Sequence, residues 1–212
     1  MWRVGAAAAV GLLLVLGGLA IDLSQHGDRL AGSNSFVEFS GLALPVEPHA
    51  QRCAFHQHVP AAAAAVRVYA GTFGRRGGPF TVSVSSGGRL VSAGRAAGGY
   101  ADNATPRVPL GLVRRNLYDA TVCLRNLGPA RLQFAGNLTP QAGVRLAGTD
   151  VIRFDWLLGG RPTWWDVAPK VAARFAVIKP GFVESWTFWA IFGVIALLWA
   201  SAIAVLMRRP TR

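Results

Sequence analysis

Charge is scarce in this sequence. Only 15% of its 212 residues are Asp, Glu, Lys or Arg, where soluble domains run nearer a quarter, so part of the chain is expected in lipid. Acidic residues are the scarcer sign, 10 against 22 basic ones, and lysine is almost missing: Lys170 and Lys179 stand beside 20 arginines. That bias, next to abundant Ala and Gly, reads as high-GC coding rather than selection for phosphate contacts. Glycoside hydrolysis needs two facing carboxylates, and nothing in the spacing of Asp102, Asp119, Asp150, Asp155 and Asp166 pairs them. The G-x-S-x-G elbow, P-loop, dinucleotide fingerprint and zinc-protease motif are all absent, and Ser83, Ser85 and Ser86 fall in an alternating stretch. No enzyme and no cofactor are therefore expected. The 25 Gly and 12 Pro, spread along the chain, exclude a long helical bundle or coiled coil.

Two long apolar runs are present, one near each end. Residues 4–21 carry no charge, follow Arg3 and stop at Asp22. At about 1.5 Å per residue these 18 positions just cover a thin hydrocarbon core. A signal peptide has a similar outline, with Gly18 and Ala20 as the small pair before a cut, but its apolar centre is usually about 7–15 residues. A retained anchor is the favoured reading. Residues 186–207 are also uncharged and lead into Arg208, Arg209 and Arg212, with Trp186 and Trp189 at the start, where indole rings favour the headgroup boundary. By the positive-inside rule both termini are cytoplasmic and the middle lies outside. Gly193, Ala196, Ala200 and Ala204 recur at three- and four-residue spacing, and Ala7, Gly11 and Gly18 share a face of the first run; small residues so placed let helices approach closely in lipid.

The middle is a series of short strands between turn signals. Residues 80–86 alternate strictly, with Phe80, Val82 and Val84 on one face and Thr81, Ser83 and Ser85 on the other, and Gly87-Gly88 follows as a turn. Similar stretches are 65–70, 89–92, 107–113, 118–125, 131–135, 143–147 and 151–156, with 36–39 and 52–59 as two more. In the 151–156 stretch Ile152, Phe154 and Trp156 point one way, Arg153 and Asp155 the other. Strands at such spacing, without helical periodicity between 36 and 160, predict an antiparallel β-sandwich of jelly-roll or immunoglobulin-like type. Cys53 and Cys123 both lie in it; outside the membrane they are expected to form a disulfide, the one intramolecular pairing two cysteines allow. The outside part carries 18 basic and 9 acidic residues, a field that attracts anionic headgroups or acidic envelope polymers. Nucleic acid is not an expected partner, since the cations are scattered singly and no reading motif accompanies them.

Three groups of residues could carry binding. Tyr100, Asp102 and Asn103 sit in a Gly-rich loop with the composition of a sugar platform, to which Tyr69, Tyr118 and Trp156 could add. His56 and His58, at i and i+2 of a strand, would share a face as a weak metal candidate without an evident carboxylate neighbour. Trp164 and Trp165 precede Pro169 and a short amphipathic stretch in which Val171, Phe175 and Ile178 oppose Lys170 and Arg174; this suits the outer membrane interface as well as a cap on the sandwich core.

The expected layout is an N-terminal anchor or signal at 1–23, a linker at 24–35, an exported sandwich at 36–160, a juxtamembrane segment at 161–182, a transmembrane helix at 183–207 and a basic cytoplasmic tail at 208–212. With Trp164-Trp165-Asp-Val-Ala168-Pro169 and the arginine-terminated helix, it resembles uncharacterised high-GC bacterial envelope proteins, companions of cell-surface polysaccharide assembly. The resemblance implies a plasma-membrane protein with an extracytoplasmic main domain that binds an envelope glycan or a protein partner. The alternative it implies is an accessory subunit of a membrane glycosyltransferase or polysaccharide exporter, held through its helices.

Overall fold

Alternation of buried and half-exposed side chains builds most of the strands. In chain order the elements of the computed structural model are α1 (Trp2–Ser24), β1 (Leu30–Ser33), β2 (Gly41–Val46), β3 (Gln51–Val59), β4 (Ala63–Arg67), β5 (Ala70–Gly71), β6 (Phe80–Ser86), β7 (Arg89–Ala96), β8 (Arg107–Pro109), β9 (Leu117–Asn126), β10 (Leu132–Gly136), β11 (Asp155–Leu158), α2 (Trp164–Val177) and α3 (Ser185–Arg208). The structure describes residues 2–34, 41–136, 152–177 and 185–208; within the helices it describes the side chains at 6, 9–24, 164–173, 186, 187, 189–202, 204 and 205. The strands expected at 36–39 and 143–147 lie outside the described residues. Contacts divide the chain into two compact units, one of helices (Met1–Gly27 with Pro162–Arg212) and one of sheets (Asp28–Arg161).

In the sheet unit, Phe80, Val82 and Val84 are fully buried while Thr81 and Ser83 stay half-exposed, so β6 is the half-buried strand its sequence spells. Among the described residues the unit holds three antiparallel sheets, with strand orders β1-β11-β4-β8, β2-β10-β5 and β3-β9-β6-β7, and none of them closes into a barrel. The expected two-sheet sandwich flanked by transmembrane helices is thereby corrected. Two of the expected strands break where the chain changes sheet. The 65–70 stretch divides at Val68-Tyr69, its first half pairing as β4 in the first sheet and its second as β5 in the second. The 151–156 stretch divides likewise: Ile152 bridges Gly136 beside the second sheet, while Asp155 and Trp156 join the first. The 107–113 stretch shortens to three residues ending in Pro109, which has no N–H to give a ladder.

One core serves the sheets. Phe80 meets Phe134 edge-on at 5.2 Å, Phe154 stacks on Trp156 at 5.6 Å, and all four are buried with Val122 and Leu124. Each such aromatic contributes roughly 1.5–3 kcal/mol by burial. Two buried asparagines satisfy backbone groups that the sheet changes leave over. Asn126 donates to the Val46 and Ala130 carbonyls and accepts from Gly128 N–H. Asn34 donates to the Ile152 carbonyl and Gln57 Oε1, and its Oδ1 accepts from Phe154 N–H at 2.7 Å.

In the helical unit the three helices pack on one another. Thr163 and Asp166 cap α2 reciprocally: Asp166 Oδ2 accepts from the Thr163 N–H and hydroxyl, and Thr163 Oγ1 accepts from Asp166 N–H, a capping box with Asp in the usual Glu position. Trp165 Nε1–H donates to Ser24 Oγ at 3.1 Å and ties α2 to the end of α1. Leu13, Leu14, Leu197 and Leu198 are exposed.

Among the described residues, no helix is long and apolar enough to cross a membrane. The described side chains run unbroken only over 9–24 in α1, a stretch ending with Asp22 and Ser24, and over 189–202 in α3; a span takes about 20 apolar residues. The two expected transmembrane helices are corrected on this ground. So are the readings that depended on them: the envelope-protein resemblance, the plasma-membrane location with a cytoplasmic C-terminus, the membrane and membrane-protein partners, and a glycan-binding or glycosyltransferase-associated role exercised from an anchor.

Candidate functional site

Charged side chains of the sheet unit gather where β4 and β11 leave the first sheet. Strand register aligns Ser33, Asp155, Arg67 and Arg107 in one row across β1, β11, β4 and β8. Arg153 precedes β11 on the same side as Asp155, because Phe154 between them turns into the core. Asp155 is thus shared. Its Oδ2 is 3.9 Å from Arg67 Nη2, its Oδ1 is 3.6 Å from Arg153 Nε, and Oδ1 also accepts from the Ser33 hydroxyl at 2.7 Å. Both guanidinium contacts are too long for hydrogen bonds, and the side chains are about a third exposed, 34% and 36%. Beside them Tyr69 and Thr105 complete a cleft of about 270 Å³. At the far end of the row Arg107 turns to Asp28 at 3.3 Å, which Arg161 also approaches at 3.8 Å.

Two planar guanidiniums with five N–H donors each, sharing one carboxylate at long range, leave donors free for a further anion. The sheet unit as a whole, with 15 arginines and 7 acidic residues between 28 and 161, adds a positive field.

Sequence reasoning placed Arg153 and Asp155 on the outer face of their strand but did not assemble this cleft. Arg67 carries no local signal, and its meeting with Asp155 depends on cross-strand register, which the sequence does not print.

The residues singled out from sequence are placed as follows. Cys53 and Cys123 are register partners of β3 and β9 and form the expected disulfide. Asp102 turns inward to a neighbouring loop: it accepts from the backbone N–H and hydroxyl of Thr72, from Gly74 N–H at 2.7 Å and from Asn103 N–H at 3.0 Å. These bonds, the Thr72 and Gly74 amides foremost, hold its carboxyl below the ordinary value of 3.8. Asn103 itself has a positive φ of 57°. Tyr100 packs edge-on against Phe80 at 6.0 Å, and burial pushes its phenol up to about 12; its hydroxyl has no hydrogen-bond partner among the described residues.

His56 and His58 are exposed on either side of the buried Gln57. Register shifts around Gln57, with φ of +54° at His56, bulge the strand there. His56 acquires the carboxylate neighbour that sequence did not reveal: its Nδ1 lies 2.7 Å from Asp119 Oδ1, with the two side chains 67% and 77% exposed. His58 stacks on Tyr118 at 5.2 Å. Among the described residues no three His, Cys, Asp or Glu side chains gather as a metal site.

In the helical unit Trp164, Trp165, Trp186 and Trp189 are exposed by about half, and Lys170 is exposed; the Arg174 side chain lies outside the described residues. A Cβ at Gly11, Gly18 or Gly193 would meet no atom within 4 Å. Ala196 and Ala200 are exposed, Ala204 is half-buried, and the Ala7 side chain is outside the described set. Compared with known proteins, the chain matches no protein-family model and no curated protein.

Proposed function

We propose that the sheet unit is a non-enzymatic binding module that takes a small oxyanion-bearing molecule between Arg67 and Arg153. The observation carrying this reading is the shared Asp155: two guanidiniums converge on one carboxylate at 3.9 and 3.6 Å, next to a cleft of about 270 Å³. A phosphate, sulfate or carboxylate group accepts in-plane hydrogen bonds from such forks, with the Thr105 hydroxyl as a further donor. Both cysteines are bonded, and the His56–Asp119 pair stands on open surface instead of in this cleft; neither supplies a nucleophile there.

Titration calorimetry of the full chain with inorganic phosphate and with sulfate tests the proposal. One saturable site that weakens with added salt is expected. Arg67→Ala and Arg153→Ala should each cost about 1.5–3 kcal/mol, the range of a hydrogen bond to a charged group, or roughly tenfold to hundredfold in Kd. Unchanged affinity in both variants would sink the reading.

A further inference from the structure

The cleft beside Asp155 exists because a strand is wedged into the seam. Arg67 and Asp155 are register partners in adjacent strands. Beyond them β10 comes between the two chains: Ala135 N–H donates to the Tyr69 carbonyl at 3.0 Å, and Arg153 N–H donates to the Ala135 carbonyl at 3.1 Å. The backbone gap therefore doubles from one strand spacing, about 4.7–4.9 Å, to two. Tyr69 and Arg153 stand at the wide end of the resulting space of about 270 Å³, and Arg67 and Asp155 at its narrow end. That volume falls below the roughly 300–1,000 Å³ of sites for drug-sized ligands, so its occupant is small.

The narrow end is not purely cationic. Asp155 Oδ1 is occupied, accepting from the Ser33 hydroxyl at 2.7 Å and lying 3.6 Å from Arg153 Nε. Its Oδ2 has Arg67 Nη2 at 3.9 Å and accepts no hydrogen bond among the described residues. The cleft thus offers guanidinium donors and an open carboxylate acceptor side by side. An oxyanion bound by both arginines is placed against Asp155, a like-charge contact that opposes binding. A ligand that carries an ammonium beside its oxyanion reverses the sign of that contact and gives Oδ2 a charge-assisted hydrogen bond. The spacing decides how far apart the two ligand charges stand. With donors and acceptor 3.6 and 3.9 Å apart, they belong on neighbouring carbons and not at the two ends of a chain.

We propose that the ligand of this cleft is a small zwitterion of the α-amino acid class, its carboxylate on Arg67 and Arg153 and its ammonium on Asp155 Oδ2. The proposal rests on the anion-binding reading above and adds the cation to it. The test is calorimetry of the full chain at neutral pH with three probes. These are L-alanine, propionate (the same skeleton without the amine) and γ-aminobutyrate (the same charges held apart). L-Alanine should bind at least ~10-fold more tightly than either of the others. Asp155→Asn should reverse the order, with L-alanine at least ~10-fold weaker and propionate as tight as in the native chain or tighter. If Asp155→Asn loses its near-ultraviolet circular dichroism, the ranking of the three probes in the native chain decides alone. Equal affinity for L-alanine and propionate overturns the proposal and leaves the anion site standing, as does L-alanine binding unchanged in a folded Asp155→Asn chain. L-Alanine binding indifferent to both Arg67→Ala and Arg153→Ala overturns it too, since the amino acid then sits elsewhere. If phosphate, sulfate and propionate all fail to bind, the anion-binding reading falls and the zwitterion falls with it.

Discussion

Asp155 and Arg67 stand directly opposite each other in adjacent strands, yet their charged groups are 3.9 Å apart. The carboxylate divides itself among Arg67, Arg153 and the Ser33 hydroxyl, so it neutralises one positive charge where two converge. A pair at that distance, a quarter to a third exposed, contributes roughly 0–1 kcal/mol to stability. Under the proposed anion-binding function, Asp155 would compete with the ligand for the two arginines. Asp155→Asn keeps an oxygen to accept the Ser33 proton and removes the competition. The variant should bind phosphate several-fold more tightly, with stability changed by less than about 1 kcal/mol. Calorimetry beside thermal unfolding separates the two; weaker phosphate binding in a stable variant would show that the arginines need Asp155 to hold them in place.

Gly94 fixes how closely β7 approaches β8. A Cβ there would lie 1.7 Å from the Pro109 carbonyl oxygen, a backbone atom that cannot swing aside. Ser92 on the same strand donates to the Gly111 carbonyl at 2.8 Å and holds the approach. Gly94→Ala forces the strands apart and should cost about 1–3 kcal/mol, as overpacking does. Urea unfolding measures it. Gly87→Ala is the informative companion: a Cβ there meets nothing within 4 Å, and its cost should come only from the positive φ of 57°.

Much of the sheet unit was legible in the sequence, because half-buried strands announce themselves by period-two alternation. The 80–86 stretch is β6 to the residue, and 118–125 and 52–59 fall within one residue of β9 and β3. The seam was not legible. Val68-Tyr69 and Arg153-Phe154 continue the alternation while the backbone changes partners, so periodicity carries no mark of the crossing. The same blindness hid the candidate cleft, whose two arginines come from opposite sides of that seam. β1 escaped as well: Leu30-Ala-Gly-Ser has too little apolar pattern to be read as a strand. Both terminal apolar runs form helices, α1 and α3, but the membrane crossing expected of them is overturned, because hydropathy does not say what an apolar helix packs against.

Two titrating groups in one loop region set opposite pH limits. Asp102 has its carboxyl pKa lowered by amide and hydroxyl bonds from Thr72, Gly74 and Asn103. A lowered folded value means that its stabilisation is present above the unfolded value of 3.8 and is lost as pH falls through the folded one. Tyr100 is raised to about 12 from 10.0, so its contribution is complete below pH 10.0 and is lost as pH climbs through about 12. Hydrogen exchange at the Thr72 and Gly74 amides should therefore accelerate, relative to the intrinsic rate, only below pH 3.8. Asp102→Asn should show that acceleration already at neutral pH. Tyr100→Phe should retain more of its stability than the native chain between pH 10.0 and about 12. Identical acid profiles for Asp102→Asn and the native chain would show that the carboxylate does not hold the loop.

The last expectation concerns Cys53 and Cys123, which face each other across β3 and β9 on the solvent side of their sheet, half-buried. Their sequence neighbours Ala54, Val122 and Leu124 carry the core on the opposite side, so removing the bond leaves no cavity. What it removes is the closure of a chain segment with sequence separation 70, worth on the order of 4 kcal/mol in the chain-entropy model. Among the described residues β3 pairs in its sheet with β9 alone, and register slips in that pair, at Ala54–Gln57 and Gln57–Val59, weaken the ladder that would otherwise substitute. Cys53→Ser, Cys123→Ser and the reduced native chain should all lose about 2–5 kcal/mol and agree with one another within error in urea unfolding. Phe80, Phe134 and Trp156 should stay buried in all three, giving native near-ultraviolet circular dichroism before the transition. Loss of that signal on reduction alone would mean that the bond holds the β3–β9 register itself, so that breaking it frees β3 from the sheet.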